Sequence, residues 1–203
     1  MMGRDAMRQL SDNQRARRAD VVECAWRVII RDGVDRASIR SIAQELGGTT
    51  GIVTHYFRDK DELLLFALDR VIKAMQGVEF PQKKSELTIK AVVGCWLRIL
   101  PTAKESRDNW RVWTAFMGYA VGRERLMAEY RKNHNEQVAE VSKGFASLRA
   151  AGLLHPKGSD RDDAIACLAL IDGLGLAWVI NPDRYPEKVM RTALDDFYAA
   201  RAP

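Results

Sequence analysis

The stretch Thr49-Thr50-Gly51-Ile52-Val53-Thr54-His55-Tyr56 concentrates small hydroxyl, glycine and imidazole side chains, a set suited to recognising another molecule. Threonine hydroxyls bond base edges or phosphates, and threonine methyls and Ile52 suit contact with a thymine methyl. A helix capped by Thr49 or Thr50 also offers free N–H groups and a positive dipole end to an anion. Val53 and Phe57, four apart, give that helix one core face, so Gly51, Ile52 and His55 point elsewhere. A second group suits a different chemistry. Four of the five tryptophans, Trp96, Trp110, Trp113 and Trp178, lie beyond residue 90, with Phe116, Met117 and Tyr119 among them. Such residues either fill an ordinary core or line an apolar cavity with a few polar anchors. Indole and phenol faces also hold a quaternary ammonium by cation–π attraction.

Covalent chemistry finds no support. The sequence has no GxSxG nucleophile elbow and no GxxxxGK[ST] phosphate loop. Gly173-Leu174-Gly175 lacks the third glycine and the preceding strand of a dinucleotide site, and His55, His134 and His155 form neither HExxH nor ExxH. No catalytic residue, metal or cofactor is expected, and the chain reads as a binding protein rather than an enzyme.

The elements that must position these residues read almost entirely with helical period. Val22, Ala25, Trp26, Ile29 and Ile30 predict a helix over about 14–32, ended by Gly33. Ser38 caps a short helix with the apolar face Ile39, Ile42, Ala43 and Leu46, which Gly47-Gly48 stop, and a second short helix runs to about Tyr56. Asp59-Lys60-Asp61-Glu62 is a capping-box signature opening a long helix to about Met75. After a linker around Pro81, helices are predicted at about 84–100, 106–121, 124–151, 160–180 and 185–200. No stretch alternates with period two, so the fold class is all-α, with about nine helices. The two short helices are too small to stand alone and must pack on the first. With a tight turn between them they suit a helix-turn-helix, whose second short helix enters a DNA major groove. The same residues also suit a plain helical hairpin within a bundle.

Composition sets the frame. A chain of 203 residues, 47% hydrophobic and with a net charge of +5, is too apolar for disorder and long enough to bury a real core. Runs such as Leu63 to Leu68 fall far short of the roughly twenty apolar residues of a membrane span, and the arginine-rich start is not the pattern of a secretory signal. Cys24, Cys95 and Cys167 are scattered, without a CxxC pair, and read as reduced core thiols of a cytoplasmic protein. Residues 1–60 carry eleven Arg/Lys against eight Asp/Glu, which is +3 of the total. Arg4, Arg8, Arg15, Arg17 and Arg18 form either a nucleic-acid arm or a solvated tail. Along 160–180, Ala166, Ala169, Gly173 and Ala177 make a stripe of small side chains beside Leu168, Ile171 and Leu174. With Val189, Leu194, Phe197 and Tyr198 of the last helix, the stripe suits a two-fold four-helix contact between copies, or close packing within one.

Ser38-Ile39-Arg40-Ser41-Ile42-Ala43-Gln44-Glu45-Leu46-Gly47, then Thr49 to Phe57, then Lys60-Asp61-Glu62-Leu63-Leu64, resembles the N-terminal signature of the TetR family of bacterial transcriptional regulators. The stretch Thr50 to Lys60 and Ala169-Leu170-Ile171-Asp172-Gly173-Leu174 look most like its choline-responsive repressor branch. The resemblance implies a DNA-binding domain over residues 1–58 with a basic arm, and a ligand-binding and dimerisation domain over 59–203. It implies a homodimer on a palindromic double-stranded operator, released when a small-molecule effector enters the second domain. Thr50, Gly51 and Ile52 fall at base-reading positions, with Thr49 beside them among the implied DNA contacts; Thr54, His55, Tyr56 and Lys60 fall at phosphate-gripping ones; Ser38 and Arg40 match backbone-contacting positions. Thr54 stands where the family commonly has tyrosine, and Gly48 where valine is usual. Met117 and Gly175 stand where the choline branch tends to carry tryptophans, so a cage built that way would be depleted. The implied pocket draws on Trp96, Trp110, Trp113, Phe116, Met117 and Trp178, and the implied dimer contact on Ala166, Ala169, Gly173, Ala177, Leu194 and Phe197. The competing reading is a helical small-molecule carrier or adaptor without DNA binding, which a neutral or acidic head would favour.

Overall fold

Gly47 fixes the angle between the two short helices. In the computed structural model, which describes residues 12–203 except Glu79, Gln82 and Lys84, Gly47 has a φ of 72°, a conformation that costs an L side chain and not glycine. The Gly48 N–H donates to the Ala43 carbonyl at 2.9 Å and the Gly47 N–H to that of Gln44 at 3.0 Å, the paired bonds of a Schellman stop. Helix α2 (Ile39–Glu45) ends there, and α3 (Thr50–Tyr56) starts two residues on. At its other end α2 is closed by a capping box: the Ser38 and Ser41 hydroxyls each accept the other's backbone N–H, at 3.1 and 2.9 Å. Both helices have seven residues, too few to persist alone, and their stability comes from packing. Ile42, Ala43, Val53 and Phe57 are buried against Val21, Ala25 and Val28 of α1 (Asp12–Asp32). Glu45 ties α2 to α1, accepting from Arg27 at 3.2 Å and Arg31 at 2.7 Å.

Asp59 opens α4 (Lys60–Gln76) by accepting the Glu62 N–H at 2.7 Å, while the Glu62 carboxylate reaches back to the Arg58 N–H at 2.9 Å. The rest is α5 (Ile89–Ile99), α6 (Lys104–Ala120), α7 (Glu124–Ala150), α8 (Asp160–Ile180) and α9 (Glu187–Ala199). The described residues form nine helices and no strand, the all-α architecture that the periodicity predicts. Helix α5 starts later than its apolar residues suggest, because Thr88 caps it, its Oγ1 accepting the Ala91 N–H at 3.1 Å. Two core clusters meet near Trp113. The first extends past α3 to Leu63, Leu64 and Leu68 of α4 and to Val112, Phe116 and Ala120 of α6. The second joins α5, α7, α8 and α9 around Trp110. Helix α8 contains an unbroken apolar stretch, Ala164 to Ile171, and by length and composition is able to cross a membrane, which corrects the picture of uniformly short apolar runs. Its one face packs on α6 and α7.

The N-terminal arginines divide. Arg4 and Arg8 lie outside the described residues. Arg17 is exposed beside Asp20, whereas Arg18 is only 9% exposed, its guanidinium 3.8 Å from the Phe66 ring centroid and 3.5 Å from Glu62. Burial holds the Arg18 pKa below its ordinary value, with Glu62 opposing. Arg18 is therefore a core strut between α1 and α4, not part of a basic arm. Cys24, Cys95 and Cys167 are all buried thiols, as expected of core residues.

Candidate functional site

Two surfaces and one cavity collect the residues singled out above. On the head, Val53 and Phe57 face inward, 0 and 1% exposed, which turns Thr49, Thr50, Gly51, Ile52, Thr54 and His55 outward. Ile52, 41% exposed, lies over Gly48, where an added Cβ would meet its side chain. Gly48 thus gives Ile52 room to lie back over the turn. Thr49 is exposed and makes no side-chain cap, while the Ile52 N–H donates to the Thr49 carbonyl at 3.0 Å. Arg40 is exposed on α2. Three of the predicted contacts are otherwise engaged. The Thr54 hydroxyl donates back to the Thr50 carbonyl at 3.1 Å, and Ser38 is committed to its cap. The Lys60 ammonium turns inward, donating to the Val34 carbonyl at 2.7 Å, and burial lowers its pKa. Lys60 pins α4 to the loop after α1 rather than standing free for phosphate. Tyr56 is half-buried, with the His55 ring edge-on to it at 4.8 Å.

The cavity, about 420 Å³, opens between α4, α5, α6, α7 and α8. Trp96, Trp110 and Trp113 line it together with Tyr130, His134 and Asp172. Trp110 and Trp113 meet edge to face at 5.2 Å, Trp113 tilts toward Tyr130 at 6.5 Å, and Tyr130 stacks on His134 at 6.2 Å. Asp172 is the sole charged residue between Asp163 and Asp183, and no cation among the described residues pairs with it. Burial pushes its carboxyl up to about 6. Burial, with the Asp172 charge second, pushes the Tyr130 hydroxyl up to about 12.

Phe116, Met117 and Trp178 do not reach this wall. Phe116 and Met117 belong to the first core, and Trp178 is 7% exposed in the second, 5.7 Å below both Arg107 and Arg111. Gly175 has a distinct role: an added Cβ there would fall inside the Trp110 ring, so the missing side chain is the space that Trp110 occupies. Helix α6 supplies the aromatic surface there, with the Trp110 indole N–H held by the Ile99 carbonyl at 2.9 Å. Tyr130, His134 and Asp172 escaped sequence reasoning, because only packing sets the phase of α7 against α8. The readable signal was the lone carboxylate in an otherwise apolar helix.

Helices α4 and α6 touch both the cavity and the head. Ile72 of α4 and Trp113 of α6 line the cavity. At the other end the Tyr119 hydroxyl donates to Asp61 at 2.9 Å, Arg125 pairs with Asp59 at 2.9 Å, and Arg123 lies over the Tyr119 ring at 3.8 Å. Gly122, with a φ of 84°, makes the turn from α6 to α7 that brings these groups to α4.

On the far side of α8 an apolar face is exposed. Ile165, Leu176 and Ile180 are 44, 40 and 75% exposed, and Ala169 and Gly173 lie open between them. Ala166, Ala177 and Phe197 are half-buried at its edge. Leu194 is fully enclosed in its own subunit, so it stiffens this layer from behind and has no surface to give a partner.

Residues 21–66 match the model for bacterial regulatory proteins of the tetR family, and residues 90–203 match that for the BetI-type transcriptional repressor C-terminal region. The chain is similar to the HTH-type transcriptional regulator PksA of Bacillus subtilis, with 31% identity over 83% of this chain and 81% of that one. It is similar to the HTH-type transcriptional regulator BetI of Paraburkholderia phytofirmans, with 25% identity over 89% and 91%. A transcriptional regulator from Saccharomonospora viridis, solved in complex with choline, superposes with a TM-score of 0.77 at 25% identity, over 91% of this chain and 96% of that one.

Proposed function

The chain belongs to the TetR family of bacterial transcriptional regulators, and on that footing we propose that it is a cytoplasmic repressor, not an enzyme, which grips a palindromic operator as a homodimer and releases it when an organic cation fills the cavity. The observation that carries the reading is that α4 and α6 each touch both sites: Ile72 and Trp113 line the cavity, while Leu63 of α4 and Phe116 of α6 pack into the core that holds the head together.

Residues 1–58 act as the reading head and 59–203 as the effector and dimer unit. Thr49, Thr50, Gly51 and Ile52 read bases, while Arg40, His55 and Tyr56 grip the backbone. Two recognition helices about 34–36 Å apart match successive major grooves. A cation is the effector because Trp110, Trp113 and Tyr130 offer ring faces beside an unpaired carboxylate. The choline held by the Saccharomonospora viridis relative supports that class. Entry of the cation between α4, α6 and α8 shifts α4 and changes the spacing of the heads. It acts only to the extent that its affinity differs between the two spacings.

Selection of bound duplexes from a random pool, followed by release with choline and tetramethylammonium, tests this directly. A two-fold symmetric consensus freed by either ammonium is expected. An enriched pool without symmetry, or a complex indifferent to every ammonium, contradicts it.

A further inference from the structure

The effector cavity does not end at its aromatic wall. A second cavity, about 640 Å³, adjoins it between α5, α7 and α9. Val78, Phe80, Trp96, Glu140 and Val141 line both. The Phe80 and Trp96 rings, edge to face at 5.0 Å, mark the boundary, and Trp96 is anchored there by donating its indole N–H to the Tyr198 hydroxyl at 2.9 Å.

The two spaces differ in chemistry. The first holds the unpaired Asp172 among ring faces. The second is walled by Leu87, Val92, Phe145 and Leu148 with Ser147 and Tyr198, and among the described residues its charged groups, Glu140 and Lys143, pair at 2.8 Å. One end of the combined space favours a positive charge, and the other favours hydrocarbon. Cavities of a few hundred Å³ hold drug-sized molecules, far more than a small ammonium alone.

We infer that the effector is an amphipathic cation whose ammonium head sits by Asp172, Trp113 and Tyr130 and whose apolar tail passes Phe80 and Trp96 into the second cavity. This rests on the cationic-effector reading above and adds the tail. A diamine is disfavoured, since among the described residues of the second cavity no carboxylate is left unpaired for a second ammonium.

The test uses the full-length protein bound to its selected operator and an alkyltrimethylammonium series, from tetramethylammonium to octyltrimethylammonium, kept below micelle formation. Tryptophan fluorescence reads binding and operator release reads function. Affinity is expected to rise about fourfold for each methylene buried, while alkyl sulfates of equal length bind no better than buffer. Gly144 lines only the second cavity, and an added Cβ there meets nothing within 4 Å. Gly144→Leu is therefore expected to fold, to keep tetramethylammonium affinity and to flatten the chain-length series. Release by choline and tetramethylammonium with no gain from chain length, or a gain that survives Gly144→Leu, overturns the tail and leaves the cationic reading standing. Indifference to every ammonium overturns both.

Discussion

Asp172 is a carboxylate whose ionisation costs stability, because burial disfavours its charge. Its folded pKa of about 6 lies above the ordinary carboxylate value, so the folded protein binds this proton more tightly than the unfolded chain. Stability is therefore lost as pH rises from about 4 to about 6 and stays lower above that. Asp172→Asn should melt higher than the parent at pH 8 in the absence of effector, by at most roughly 3 kcal/mol. The same variant should lose its ammonium response, the trade expected of a functional charge. In the parent, ammonium affinity should fall about tenfold per pH unit below about 6, as the carboxyl protonates. His134, Glu136 and Glu140 share the cavity, so the pH series is run beside Asp172→Asn, which should remove the step. An unchanged step in that variant would move the charge to another wall residue. At the head, His55→Ala should weaken operator binding and reduce its salt dependence by about one phosphate contact; a superimposable isotherm across a salt series would exclude that contact. Residue types made the tryptophans and His55 readable, but not what each side chain already holds. Lys60 and Thr54 look free in sequence, and carbonyl oxygens of Val34 and Thr50 engage them in the fold.

At the scale of elements, the proposed mechanism makes α4 and α6 the transmitters and the α6–α7 turn their clamp. Tyr119 and Arg125 hold Asp61 and Asp59 at the start of α4, immediately after the reading head. Tyr119→Phe with Arg125→Ala should leave ammonium binding intact, because neither residue lines the cavity, and should weaken its effect on DNA by about 0.5–2 kcal/mol of coupling. Fluorescence titration and operator release, measured on one preparation, separate the two; equal release by parent and double variant would place the coupling elsewhere. Helix positions were legible because caps and glycine stops are local: Ser38, Gly47 and Asp59 act within a few residues of themselves. Which helices enclose the cavity was not, since Trp113 on α6 meets Tyr130 on α7 only after the turn at Gly122. Phe116 and Met117, three and four residues after Trp113, share its helix face but lie one turn further along α6, within the first core and beyond the cavity.

At the scale of the molecule, the proposed function needs two reading heads on one operator, and the open face of α8 is the surface proposed to join them. Its apolarity, enough by length and composition for a membrane span, is also what the seam of the proposed dimer requires. Leu176→Asp with Ile180→Asp should yield monomers that retain helical content, bind ammonium and lose the operator. The small-residue stripe was legible, but Leu194 was not separable from Phe197 by sequence, because both share the apolar side of α9 and only depth distinguishes them. The most direct measurement is sedimentation of the full-length protein with its selected duplex, with and without tetramethylammonium. Two protomers on one duplex, parting from it when the ammonium is added while remaining a dimer, is the predicted result. A monomer that ignores every duplex at low ionic strength would contradict it.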